Sequence, residues 1–366
     1  MKSERLACLI ASRNLGDIVM WSGLLEELIA ARCAERFVVW TRPPMAWIFA
    51  GLPDCEVICS SFPVGTKKEF GGRQSLRFLA AAARIRALKP SVSVDFVGDF
   101  RERLFARMIG SPRHLHIGWE SGHPYARVIR NPLGRGRPLI TVPESVPNVY
   151  AAYGLMVRAL TKRKRVVDAL ESHRQRRGRD TGPYRVGLHP FASLACKLWS
   201  PAKWERLARE LLNRGYDVTA FAAASEGEAL RHMFAGLDGR ITLDTTDLAA
   251  FDRVLPTLDI VIGLDSVAVH MAHRRGVPSI TINAGAPPEL WAVPSGRMLA
   301  ASGGCPHYPC HNVAPCRGTP YQNACVEAIT PDEVLGAIDS LRQRQHEVAQ
   351  ADHSSAEQSG DGHLRV

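Results

Sequence analysis

The feature that most constrains this chain is an alternation of short apolar runs with longer stretches of helical period, and it occurs twice. In the first half, residues 5–12, 37–41, 57–60, 92–97 and 114–118 read as strands, and 18–34, 75–88 and 104–109 as helices. The segment 75–88 is rich in Ala and Leu with Arg77, Arg84 and Arg86 interspersed, and Pro90 stops it. In the second half, 184–189, 217–223, 241–243, 260–264 and 279–282 read as strands, with helices at 200–213, 226–235, 248–258 and 267–275. Ser200 and Pro201 suit an N-cap and first helical position, and Gly215 follows that helix's end. The run 260–264 holds no polar residue, as befits the middle of a parallel sheet. Strict alternation demands parallel sheets, because parallel strands are joined only through a crossover. The expectation is therefore an α/β protein of two Rossmann-like, doubly wound parallel-sheet domains facing across a cleft. Their predicted bounds are 1–165 and 184–348, with a basic linker at 166–183 and a disordered tail at 349–366. Within the second domain, Thr330 and Glu333 form a capping box that opens the last helix.

Composition narrows the class further. With 46% hydrophobic and 22% charged residues the chain can bury a sizeable core, which excludes disorder as its main state. No apolar run approaches the ~18–20 residues needed to cross a bilayer. The amino terminus has strand length and polar flanks at Glu4, Arg5, Arg13 and Asp17, unlike a secretory signal, which predicts a cytoplasmic protein. Cys8, Cys33, Cys55, Cys59 and Cys196 are scattered, as small core hydrophobes are in a reducing compartment. The net charge of +10 favours an anionic partner: a nucleotide-sugar, a phosphorylated acceptor, an acidic membrane face or nucleic acid. No recognised nucleic-acid motif accompanies that charge, so nucleic acid is not expected.

Ligands of doubly wound sheets sit where strands run into helices, and four such junctions carry suggestive residues. At the first, Asp17 is either a helix-capping carboxylate or a general base. At the second, Ser193 and Lys197 precede a helix start; a lysine with backbone N–H groups could cradle a pyrophosphate, although no Walker A loop is present. At the third, Glu226 and Glu228 are either macrodipole partners or acceptors for ribose hydroxyls. At the fourth, Asp265, Ser266 and Val267 open a helix, with His270 one turn inside, and could present N–H groups and a hydroxyl to a diphosphate. Separately, Cys305-x4-Cys310-x5-Cys316-x8-Cys325 suits a structural, tetrahedral thiolate site for zinc or iron, against disulfides or thiols that never meet a metal.

These pieces in this order resemble glycosyltransferase family 9, the bacterial heptosyltransferase family. They are Gly16-Asp17, Asp95-x-x-Gly98, Pro190-x-Ala192-Ser193 with Lys197-x-Trp199-Ser200-Pro201-x-x-Trp204, and Leu248-Ala249. Gly263-x-Asp265-Ser266-x-x-x-His270 and Gly276-Val277-Pro278 complete the set. The resemblance implies a GT-B fold and inverting transfer of a sugar, typically from ADP-heptose, with no cofactor required for catalysis. It implies Asp17 as the base and Lys197 as the holder of the departing diphosphate. Ser266, the N–H groups near Val267 and His270 would bind its oxygens. Asp265 would order the loop or touch the sugar, and Glu226 or Glu228 would bind the ribose. The implied acceptor is a lipopolysaccharide core or another surface glycan, with the enzyme peripheral at the inner face of the inner membrane. Protein-modifying relatives, with an iron-binding Cys finger, make a protein acceptor the alternative. Phe191 and Val267 stand where the family has glycine, and Met20 where it commonly has histidine. A non-catalytic sugar-nucleotide-binding scaffold is thus the reading from another class.

Overall fold

A computed structural model describes residues 4–63, 71–127, 129, 137–162, 182–310 and 315–360. Residues 163–181, and with them nearly all of the expected basic linker, lie outside the described residues. The chain divides into two compact units: Met1–Val167 with Glu289–Trp291, and Asp168–Pro288 with Ala292–Val366.

The first unit holds six strands: β1 (Glu4–Ile10), β2 (Ala34–Thr41), β3 (Cys55–Cys59), β4 (Val92–Asp95), β5 (His114–Trp119) and β6 (Ile140–Val142). Their order is β3-β2-β1-β4-β5-β6, and every pairing is parallel. Flanking them are α1 (Leu15–Ala30), α2 (Gly72–Ala87), α3 (Phe100–Met108) and α4 (Val149–Thr161). β1 lies between β2 and β4, and its last five residues are buried, which is why 5–12 reads as an unbroken apolar run. Trp40, Phe62, Phe78 and Phe105 form one aromatic cluster, with Trp40 and Phe78 stacked at 5.0 Å. Trp21 of α1, Phe96 and Tyr153 of α4 form another, with Trp21 and Phe96 stacked at 5.1 Å. Aromatic pairs of this kind add about 0.5–1.5 kcal/mol beyond the area they bury.

The second unit repeats the design. Its strands are β7 (Arg185–His189), β8 (Asp217–Ala222), β9 (Thr242–Thr245), β10 (Ile260–Leu264), β11 (Ser279–Ile282) and β12 (Arg297–Leu299). They lie in the order β12-β11-β10-β7-β8-β9, again all parallel. Counted from β7 and read from the other edge, this is the order of the first sheet. Its helices include α5 (Pro201–Asn213), α6 (Gly227–Met233), α7 (Leu248–Val254), α8 (Val267–Arg274) and α9 (Pro331–Gly360). Trp199 and Trp204 meet edge to face at 5.2 Å inside a core that α9 closes with Val334, Ile338 and Leu341.

Both halves therefore have the expected doubly wound α/β architecture. α9 opens with the expected capping box: Glu333 Oε2 accepts the Thr330 N–H at 2.7 Å and Thr330 Oγ1 the Glu333 N–H at 3.2 Å. The tail departs from expectation, since α9 does not end near residue 349 but runs to Gly360. Helix formers such as Ala, Glu and Gln suffice to prolong a helix already nucleated by packing, and 349–359 contains neither Gly nor Pro. Among the described residues no helix is long and apolar enough to cross a membrane.

Candidate active site

In each unit the order of strands reverses between two central strands, β1/β4 in the first and β7/β10 in the second. Polypeptide leaving those strands is where a doubly wound sheet exposes helix amino ends. In the first unit Asp17 occupies the third position of α1, after the N-cap Asn14. Its carboxylate accepts the Asn14 backbone N–H, so the capping reading is correct as far as it goes. Burial raises the Asp17 pKa above the usual carboxylate range; Arg13 and the Asn14 N–H oppose that, and Glu102 adds to it. Tyr125 and Tyr153 lie within electrostatic reach of Asp17, their own phenols pushed up by burial.

Arg13 joins these groups. Its guanidinium stands 2.8 Å from Asp99 Oδ2 and 3.3 Å from Glu102 Oε1, both carboxylates being buried. Asp99 caps α3 through the Arg101 N–H at 3.0 Å and pairs with the Arg101 side chain at 2.8 Å. Burial works against its ionisation, but the bonds from Arg101 and the charge of Arg13 prevail and hold Asp99 down at about 2. Ser12 Oγ donates to Glu102 Oε1. Asp95 serves the backbone instead, since its two oxygens accept the N–H groups of Val97 at 2.7 Å and Gly98 at 2.8 Å. Gly98 has φ +80° and a Cβ there would stand 2.0 Å from the Ile117 carbonyl oxygen, so Asp95-x-x-Gly98 is a turn that only glycine can close.

In the second unit Lys197 ends a 3₁₀ turn, Ala195–Lys197, after β7, and Asp265 follows β10. Lys197 Nζ donates to Asp265 Oδ2 at 2.7 Å and to the Asp265 carbonyl oxygen at 3.0 Å. His270 lies within electrostatic reach of both, and burial drives its pKa down to about 4, so the imidazole is neutral at pH 7. Ser266 is the N-cap of α8 but makes no capping bond; its Oγ is buried without a hydrogen-bond partner. Val267 is the first residue of α8. Lys197, Asp265, Ser266, Val267 and His270 thus form one group.

The remaining candidates are elsewhere on that sheet. Ser193 is exposed on the loop after β7. Glu226 is half-buried after β8 and its Oε2 accepts the Ala223 N–H at 3.0 Å, a local capping role. Glu228 is exposed in the first turn of α6. Phe191 packs against the hydrophobic core and Met20 is itself buried, so neither side chain stands free in place of a missing glycine or histidine. Asn283 is a polar residue of this region that sequence reasoning missed. It follows β11, the neighbour of β10; its Nδ2 donates to the Ala286 carbonyl at 2.8 Å and to Tyr308 Oη at 3.2 Å, while its buried Oδ1 has no partner. A polar residue ending an apolar strand was the available signal.

The cysteine expectation finds no support among the described residues. Cys305, Cys310, Cys316 and Cys325 are free thiols, and Cys325 lies within electrostatic reach of the other three. Thiolate-held zinc or iron needs three or four ligands converging on one point, at ~2.3 Å for zinc. Among the described residues no group of three or more His, Cys, Asp or Glu side chains meets that need. Cys325 belongs to the hydrophobic core with Val326 and Ile329, and Cys310 Sγ lies against Gly285, where an added Cβ would be 2.7 Å away. Among the described residues a structural metal therefore has no support.

The sequence profile of glycosyltransferase family 9 (heptosyltransferase) matches residues 157–319. No curated protein matches the chain. Among solved structures, the E. coli heptosyltransferase WaaC with ADP is 15% identical, with 92% of this chain and 99% of that one covered at a TM-score of 0.68. A family 9 glycosyl transferase from Veillonella parvula is 14% identical, with 92% and 97% covered at 0.67. The iron-containing dodecameric glycosyltransferase TibC from enterotoxigenic E. coli is 15% identical, with 94% and 77% covered at 0.52. At these identities the likeness is one of fold, the GT-B arrangement of two six-stranded parallel sheets flanked by helices. The profile match over residues 157–319 and the shared fold together support a glycosyltransferase similar to those of family 9, the heptosyltransferases.

Proposed function

We propose that the protein transfers heptose from ADP-heptose to a hydroxyl of a lipopolysaccharide core or another surface glycan, with inversion and without a metal. The observation that carries this reading is the Lys197 group: a buried ammonium, neutral His270, and a buried Ser266 hydroxyl without a partner at the start of α8. An orphaned hydroxyl beside helix N–H groups and a lysine suits the oxygens of a diphosphate. WaaC, of the same fold, was solved with ADP, and with ADP-2-deoxy-2-fluoro heptose.

In this reading the acceptor oxygen attacks the anomeric carbon, its proton passes to the Asp17 carboxylate, and the bond from that carbon to the diphosphate oxygen breaks. A positioned base of this kind contributes ~10²–10⁴-fold. The charge left on ADP is met by Lys197, the N–H groups at Ser266 and Val267, and the dipole of α8. Asp265 releases Lys197 to the diphosphate and turns to the sugar; Glu226 or Glu228 takes the ribose, and Ser193 the phosphate edge. Acceptors of this class place the enzyme at the inner face of the inner membrane in the cytoplasm.

The test is ADP release from ADP-heptose by the purified protein, slow alone and faster with a deacylated lipopolysaccharide core. Asp17→Ala should abolish turnover while leaving ADP affinity nearly intact. Acceleration by an autotransporter protein, and not by the core, would favour protein modification. Val267 at the head of α8, where the family has glycine, favours a second reading, a nucleotide-sugar-binding scaffold. Tight ADP-heptose binding with no turnover on any acceptor would establish that one instead.

A further inference from the structure

Helix α2 has a face that the first unit does not use. Phe78, Ala81, Ala82 and Ile85 bury its inner side in the core. On its outer side Leu76 is 68% exposed and Leu79 53%. Single exposed leucines are ordinary. Here, however, three of the six large hydrophobic residues exposed among the described residues stand on α2 and its neighbour α3: Leu76, Leu79 and Leu104.

Charge accompanies them. α2 carries four arginines and no acidic residue. Arg84 is taken by Glu56 at 2.7 Å, and Arg86 donates to the Met108 carbonyl at 3.4 Å. Arg73 and Arg77 are exposed and pair with no carboxylate among the described residues. The one acid of α3, Glu102, is buried. Uncovered leucines favour an apolar partner, and uncompensated guanidinium groups favour anions. The boundary between headgroups and acyl chains of an anionic bilayer supplies both, since leucine can enter the acyl edge while arginine stays with the lipid phosphates. A second copy of this chain meeting the same face would set arginines against arginines.

We propose that the outer face of α2, extended by Leu104 of α3, docks the protein on an anionic phospholipid bilayer. Leu76 and Leu79 enter the interface; Arg73 and Arg77 meet the lipid phosphates. This does not depend on the identity of the transferred sugar or its acceptor.

Sedimentation of the full chain with vesicles tests it. One set is phosphatidylcholine alone, and the other carries about one third phosphatidylglycerol. The protein should pellet with the anionic vesicles only, and progressively less as added salt shortens the ~10 Å screening length at 0.1 M. Arg73→Gln and Arg77→Gln should each lower the partition constant about fivefold. The pair Leu76→Ser and Leu79→Ser should lower it by about tenfold or more. All four positions are exposed, so circular dichroism and Tm should match the parent in every variant. Equal binding to neutral vesicles, or no binding to either, would overturn the proposal. So would undiminished binding by both pairs of variants, or a parent dimer that the leucine variants convert to monomer.

Discussion

The Lys197 ammonium is 2.7 Å from Asp265 Oδ2 and 3.0 Å from the same residue's carbonyl oxygen, a pair closed across 68 positions of sequence. The two side chains are only 10% and 9% exposed, so each is the other's main compensation for lost water. Lys197→Met strands a buried carboxylate and should cost about 3–5 kcal/mol in urea unfolding. Adding Asp265→Asn should recover a large part of that loss, giving a strong coupling in the double-mutant cycle. Independent, additive losses would show that solvent rather than Lys197 satisfies Asp265.

Two glycines of the first unit separate packing from chemistry. Gly98→Ala brings a Cβ to 2.0 Å from the Ile117 carbonyl oxygen at φ +80°, and should destabilise by more than about 1–3 kcal/mol. A Cβ at Gly16 meets nothing within 4 Å, so Gly16→Ala in the first turn of α1 should leave Tm unchanged or higher. A loss of transferase activity in Gly16→Ala without a change in Tm would place the acceptor against that turn.

As the proposed base, Asp17 accepts a proton only when ionised, so turnover should fall as pH drops through its pKa. Burial lifts that pKa above the ordinary ~3.9, and Arg13 opposes the lift. Arg13→Gln should therefore move the acid limb of the kcat/KM profile to higher pH, and Arg13→Lys should move it less. An unmoved limb in Arg13→Gln would remove Arg13, or Asp17 itself, from the proton transfer.

Acid stability should depend on histidines kept neutral. Burial, with help from His116 and Arg103, lowers His114 from the ordinary 6.5 to about 3, and burial lowers His189 to about 4. The unfolded chain then binds more protons than the folded one below about pH 6.5. Stability from these groups is complete above that pH and should decline as pH falls toward 4. His114→Gln should flatten the decline in denaturant titrations between pH 4 and 7, while the parent shows it in full.

The thiol region should need no metal. Protein purified without added metal should contain no stoichiometric zinc or iron by elemental analysis, and a chelator should leave Tm unchanged. One equivalent of bound metal, with a Tm that falls on chelation, would show that the four thiols converge after all.

Much of the fold can be read from local pattern, because a buried parallel strand and an amphipathic helix each repeat over distances shorter than themselves. β1, β7 and β10 are visible as short, largely apolar runs, and the Thr330–Glu333 box declares the start of α9. The edge strands β6 and β12 are only three residues long, too short for periodicity to register. The candidate site divides in the same way. Chain junctions nominated Asp17, Lys197, Asp265, Ser266 and His270, since strand ends and helix starts are local events.

By itself, then, the sequence determined two doubly wound sheets and the turns at which the candidate site residues stand. Tertiary structure alone decided the partners: Asp265 for Lys197, Asp99 and Glu102 for Arg13, the hydrophobic core for Cys325, and open solvent for Leu76. Such pairings depend on which strands become neighbours, and in both sheets the central strand's second neighbour is the fourth strand, three strands further along the chain. Spacing along a chain carries no record of that adjacency, whereas burial and ionisation are set by it entirely.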